Sequence, residues 1–215
     1  MIGIFGGTFD PVHLGHLRPA LELAEVLELE RLHILPAGHP PHRRAPHATT
    51  EQRLAMLRRA VAGQPGFELD EREIRRSGPS YMVDTLAEVR AEIGETTPLA
   101  LLLGMDAFLG LASWHQWERL SELAHLVVSH RPGWSPHGLE DQGGPLAAFT
   151  ASRRVTDTGE LHRAPAGRLY LQPVSQLDIS SSRIRELLAA GRSPRYLLPE
   201  SVHDYIQDNR LYREN

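Results

Sequence analysis

Short apolar runs alternate along the chain with stretches whose apolar residues recur every three or four positions, the pattern of strands joined by crossover helices in a parallel sheet. Residues 1–5 form the first run and predict a buried strand. Residues 14–29 place Leu17, Leu21, Ala24 and Leu27 at helical spacing and predict the first helix. A second strand is expected over 31–36, with Leu32, Ile34 and Leu35 apolar, then a helix over 50–62 capped by Thr49 or Thr50 and followed by Gly63. A short strand over 67–69 comes next, and a helix over 80–93 capped by Ser80 and stopped near Gly94. Residues 98–103, Pro-Leu-Ala-Leu-Leu-Leu, are almost continuously apolar, as a strand covered on both faces requires. Strands over 125–129 and 168–171 and helices over 181–190 and 199–209 complete the pattern, which contains no internal repeat.

Two segments rich in Pro, Gly and His, 38–48 and 133–145, fit neither period; loops of that length are commonly lids or binding segments. Neither is long enough to separate two domains. One domain spanning 1–215 is therefore expected, an α/β fold with a doubly wound parallel sheet of Rossmann-like kind. Such sheets bind ligands outside the carboxyl ends of their strands, where strand order reverses.

Composition narrows the chemistry. The 215 residues are 41% apolar, enough for a sizeable core, and carry 23 basic against 27 acidic side chains, a net charge of −4. Neither nucleic acid nor an anionic membrane is attracted to the molecule as a whole, so any anion site must be local. The absence of Cys excludes disulfides, a thiolate nucleophile and Cys-ligated metals. All the basic residues are Arg, which excludes a Schiff-base lysine and the lysine-containing phosphate loop. Glycines follow the first five residues with no basic leader, and no run approaches the roughly 18 apolar residues of a membrane span, so a cytoplasmic location is expected.

The first predicted strand runs into Gly6-Gly7-Thr8-Phe9-Asp10-Pro11-Val12-His13-Leu14-Gly15-His16. Glycines let the backbone approach a ligand, Asp10 or the Pro11 turn can start the helix, and first-turn N–H groups then face an anion. His13 and His16, three apart, share a face if both are helical, and Gly15 leaves room between them. Taken singly, Gly-Gly is a tight turn and each His a surface residue. Near the other end, Ser180, Ser181 and Ser182 sit where a helix begins, so hydroxyls and free N–H groups converge on one anion. Arg183 and Arg185 lie on different faces of that helix, so one of them reaches the ligand; the plain alternative is a serine cap before a solvated Arg.

Residues 6–16 resemble the signature of the HxGH nucleotidyltransferase superfamily, and Ile179-Ser180-Ser181-Ser182-Arg183-Ile184-Arg185 matches the superfamily's second phosphate motif. Over essentially its full length the chain resembles the bacterial nicotinate-nucleotide adenylyltransferases, in residues 36–43, 80–86, Gly104-Met105-Asp106 and Ser113-Trp114-His115-Gln116-Trp117. The resemblance implies an enzyme that transfers the adenylyl group of ATP to nicotinate mononucleotide, with Mg²⁺ carried mainly by the ATP phosphates and no protein metal ligands. His13, His16 and Arg185 are implied as catalytic. Gly6, Gly7, Thr8, Phe9, Gly104, Asp106, Ile179, Ser180 and Ser181 are implied to bind ATP with them. His42, Arg43, Thr85, Asp106, Trp117 and Arg131 are implied on the mononucleotide.

Each of these has a plainer reading: a capping Asp106, core tryptophans at Trp114 and Trp117, an exposed loop His42, a surface ion pair at Arg131. Arg43, Met82 and Ser182 depart from the residues usual in the family, Lys, Thr and Thr. Rival functions are adenylyl transfer to nicotinamide mononucleotide or another phosphorylated acceptor, and a nucleotide-binding regulator without catalysis. Assembly into a homo-oligomer stays open.

Overall fold

A computed structural model describes residues 1–38, 45–131, 133, 144–175 and 177–213. In chain order, β1 (Ile2–Gly7), α1 (Leu14–Val26), β2 (Arg31–Pro36), α2 (Thr50–Val61), β3 (Phe67–Leu69), α3 (Arg72–Arg75), α4 (Met82–Ile93) and β4 (Leu99–Gly104) come first. They are followed by α5 (Met105–Leu109), α6 (Leu120–Leu123), β5 (His125–His130), α7 (Pro145–Arg153), β6 (Arg154–Val155), α8 (Gly159–His162), β7 (Leu169–Pro173), α9 (Ser181–Ala189) and α10 (Glu200–Asp208). Two 3₁₀ turns, Leu111–Ser113 and Trp117–Arg119, lie between α5 and α6.

The strands form one sheet in the order β3-β2-β1-β4-β5-β7-β6, and every neighbouring pair is parallel. Helices cover both faces. Alternation along β4 sends Ala100 and Leu102 into one core with Leu23, Met56, Leu57, Ile184 and Ile206, and Leu99, Leu101 and Leu103 into the other with Val83, Leu86, Phe108 and Phe149. This is the doubly wound α/β fold, and strand order reverses between β1 and β4.

The strand and helix periods read from the sequence recur with small shifts. Thr49 is the cap of α2: its Oγ1 accepts the Gln52 N–H (3.3 Å) while Gln52 Oε1 accepts the Thr49 N–H (2.9 Å). Two boundaries and one cap differ for physical reasons. β1 runs on through Gly6 and Gly7, which pair in register with Leu35 and Pro36. α1 starts at Leu14, as its period predicts, but with His13 as its cap in place of Asp10 or the Pro11 turn, because the Asp10 carboxylate is taken by the N–H groups of His47 (2.7 Å) and Ala48 (3.1 Å). α4 starts at Met82 with Tyr81 as cap, since the Ser80 hydroxyl turns onto the Glu73 carbonyl (3.5 Å). The sequence reading also passed over α3, α5, α6, α7, α8 and the two-residue β6, most of them too short to show a period. Among the described residues no helix is long and apolar enough to cross a membrane.

Candidate active site at the strand-order reversal

At the carboxyl end of β1 the chain turns through Thr8 and Phe9, the latter in the left-handed region (φ 51°) with its ring buried. Phe9 therefore offers a ligand backbone only, and its ring edge supports the His16 imidazole, 5.1 Å between centroids. His13 and His16 stack on one another at 3.6 Å. The His13 N–H donates to His16 Nδ1 (3.3 Å), which places the proton of a neutral His16 on Nε2. That imidazole is a ready neutral donor on its outer edge.

The second serine-rich segment meets this loop directly. The Ser181 hydroxyl donates to the Pro11 carbonyl (2.9 Å) and Arg185 Nη1 to the Asp10 carbonyl (2.6 Å). A Cβ at Gly15 would stand 3.1 Å from the Ile179 carbonyl, so only glycine lets α1 lie this close. Ser180 is the cap of α9 and its Oγ accepts the Arg183 N–H (3.1 Å), leaving the N–H groups of Ser181 and Ser182 without intrahelical partners. Arg185 also donates to Ser182 Oγ (3.2 Å), whereas Arg183 turns to Glu186 (3.4 Å). As the helical spacing required, one arginine serves the loop and the other does not.

Burial lowers the pKa of His13 to about 4 and that of His16 to about 3, the latter helped by its neighbour, so both are neutral at pH 7. A histidine whose folded pKa lies below its unfolded value near 6.5 contributes its full stability above pH 6.5. As pH falls from 6.5 toward 4 the unfolded chain takes up the proton first, and stability is lost. The urea midpoint should drop between pH 7 and pH 5, and His13→Asn should drop less steeply; parallel slopes in the two proteins would show the pair is not the cause.

Across β1 and β4 opens a cleft of about 170 Å³, lined mostly by apolar groups. Gly6, Gly7, Thr8 and Ala37 form its floor, Leu101 to Leu103 one side, and Ser80, Tyr81, Met82, Trp114 and His115 its wall, with Tyr81 and His115 rings 4.3 Å apart. Such a slot suits a flat ring. Trp114 stands on this wall; Trp117 does not, its ring resting on Phe149 at 5.3 Å. Thr85 is fully buried, donating its hydroxyl to Glu73 Oε1 (2.9 Å) and accepting from Arg76 (3.1 Å), and it is not among the cleft-lining residues. What the start of α4 still offers is the N–H groups of Met82 and Val83, since the helix's own bonds to Tyr81 begin with Asp84 and Thr85.

Gly104 caps α5 at the carboxyl end of β4, with open space where a Cβ would project, and Asp106 is exposed in the first turn after it. Arg131 is exposed just past β5, its carbonyl 2.9 Å from His130 Nδ1, and is not among the cleft-lining residues. His42 and Arg43 lie outside the described residues.

Four residues of the site went unread in the sequence. Buried Arg53 donates to the carbonyls of Thr8 (2.8 Å) and Ala37 (3.0 Å), tying together the loops that leave β1 and β2. Its signal was visible: Arg53 stands on the same stripe of α2 as Met56, Leu57 and Ala60, a charge at a core position. Glu73 lines the cleft and accepts the Gly38 N–H (3.4 Å); burial pushes its carboxyl up, against the hydrogen bonds from Thr85 and Gly38 that favour the anion. His115 is part of the wall, though its segment was singled out. Tyr212 donates to Asp10 Oδ1 (2.7 Å) from the far end of the chain, and nothing local announced it.

A cytidylyltransferase-like family model matches residues 4–187. The chain is 51% identical over 213 residues to a probable nicotinate-nucleotide adenylyltransferase of Methylococcus capsulatus, covering 99% of each chain. It is 50% identical over 212 residues to the protein of the same name from Aeromonas salmonicida, covering 99% of this chain and 97% of that one. In fold it is similar to a Plasmodium falciparum nicotinic acid mononucleotide adenylyltransferase complexed with NaAD, at TM-score 0.67 and 18% identity over 98% of this chain and 96% of the other. With near-half identity along its whole length and two phosphate motifs joined at the strand-order reversal, this chain belongs to the nicotinate-nucleotide adenylyltransferase family.

Proposed function

We propose that the protein transfers the adenylyl group of ATP to nicotinate mononucleotide, giving nicotinate adenine dinucleotide and pyrophosphate, a step of NAD biosynthesis. The observation that carries this reading is the junction of the two motifs, Ser181 to Pro11 and Arg185 to Asp10, which brings imidazoles, helix N–H groups and a guanidinium to one place in a protein of net negative charge. An oxygen of the acceptor 5′-phosphate attacks the α-phosphorus in line. The bond from that phosphorus to the α,β-bridging oxygen breaks, and pyrophosphate leaves with the electron pair.

No side chain has to act as nucleophile; the protein positions two anions and stabilises the charge that moves between them. In this reading His13 and His16 donate to the α and β phosphates. The N–H groups opening α9 and the Arg185 guanidinium meet the departing pyrophosphate. Mg²⁺ held by the phosphates and water would neutralise part of their charge. The donor set fits a metal carried by the substrate, because the Asp10 carboxylate nearby is already engaged by three donors.

The pyridine ring of the acceptor is assigned to the slot between Gly6–Gly7 and the Tyr81, Trp114 and His115 wall. There the opening N–H groups of α4 favour a ring carboxylate over an uncharged amide. The reading also locates the protein in the cytoplasm. Pyrophosphate release from ATP and Mg²⁺, with nicotinate mononucleotide, nicotinamide mononucleotide or phosphopantetheine supplied separately, is the test. Marked preference for the acid is expected; preference for another acceptor moves the assignment, and ATP binding without turnover leaves a regulator.

A further inference from the structure

Arg185 faces a problem of competition. Its Nη1 is 3.9 Å from Asp10 Oδ2 while donating to the Asp10 backbone carbonyl, so a buried carboxylate stands ready to draw in the guanidinium that the triphosphate needs. Three other donors fix the orientation of the Asp10 carboxylate. Oδ2 accepts the His47 N–H (2.7 Å), and Oδ1 accepts the Ala48 N–H (3.1 Å) and the Tyr212 hydroxyl (2.7 Å). The tyrosine comes from the turn after α10, where Leu211 and Tyr212 pack against the core shared with α1, α2 and α9.

We propose that Tyr212 is a positioning residue: by holding the Asp10 carboxylate in its present orientation it keeps Arg185 directed at the phosphates, so the segment after α10 sets the geometry of the leaving-group site. The inference rests on the adenylyl-transfer reading for its consequence in turnover. Burial first, and then the Asp10 charge, raise the phenol well above its ordinary value, so Tyr212 stays a donor across the working range. Without the hydroxyl the carboxylate keeps only its two backbone donors and is freer to turn, with Arg185 Nη1 3.9 Å from Oδ2 as a side-chain cation it can approach.

Tyr212→Phe keeps the ring and removes only the donor. Its affinity for magnesium pyrophosphate, measured by calorimetry, should fall about tenfold, the size expected of one misdirected charged contact. In the pyrophosphate-release assay kcat should fall by a similar factor while KM for nicotinate mononucleotide stays within about twofold. Val155→Ala, a loss of packing on edge strand β6, should lower the melting temperature and leave pyrophosphate affinity unchanged. Equal pyrophosphate affinity in wild type and Tyr212→Phe overturns the positioning role, whether or not the wild type turns over, and turnover by the wild type separately tests the reaction. A parallel fall in acceptor and pyrophosphate affinities indicates general loosening and overturns it too.

Discussion

His16→Ala should lower kcat by about 10²–10³, the loss expected when one preorganised donor to a developing charge is removed. The size follows from how that donor is held. The imidazole is clamped between the His13 ring at 3.6 Å and the Phe9 edge at 5.1 Å, and its Nδ1 is occupied by the His13 N–H. In the proposed reaction Nε2–H would therefore meet the phosphates with little reorganisation. Charge on the phosphoryl oxygens is greatest in transit, so kcat should fall more than the affinity for ATP. The low pKa of the free histidine adds a second expectation: a neutral donor suffices, and His16→Gln should recover part of what Ala loses. Single-turnover rates at saturating ATP decide this, and near-normal turnover by His16→Ala would remove the residue from the mechanism.

What the sequence made legible was periodic or local. β2 and β3 match their expected bounds because their apolar residues sit between clear breaks, and Ser180 caps a helix because three serines precede an amphipathic run. The two phosphate motifs could be recognised because each is contiguous. The acceptor wall could not be divided in advance. Trp114 and Trp117 are three residues apart in one segment, and which faces the cleft depends on the left-handed Gln116 (φ 49°) and the 3₁₀ turn after it. The partners of Thr85 were hidden for another reason: Glu73 and Arg76 come from α3 and the bend beyond it, a four-residue helix with no period to read. Arginine roles were the least visible. In a chain whose long basic side chains are all Arg, Arg185, which donates to the Asp10 carbonyl, and Arg90, which donates to the carbonyls of Leu123, Gly94, Thr97 and Pro165, look alike until their partners are known.

Arg53→Met should cost about 3–5 kcal/mol of stability, the range for removing one member of a buried charged network. The methionine fills much of the arginine's volume, so the loss comes from electrostatics and hydrogen bonding rather than from a cavity. Arg53 is 1% exposed, and its two donated bonds are what satisfy the Thr8 and Ala37 carbonyls at the mouths of β1 and β2. Burial lowers the pKa of its guanidinium, and the charge of Asp10 is the largest influence holding the cation in place, so the substitution also strips Asp10 of a counter-charge. Arg58→Met on the same helix is the control. That side chain is exposed and paired with Glu71 at the surface, where an ion pair contributes less than about 1 kcal/mol. Urea unfolding of the two variants should therefore differ several-fold in stability lost. Saturating ATP should stabilise Arg53→Met less than wild type, because the Thr8 loop assigned to the nucleotide in the proposed function is the one the arginine holds. Equal losses in the two variants would place Arg53 among ordinary surface cations and detach the phosphate loop from α2.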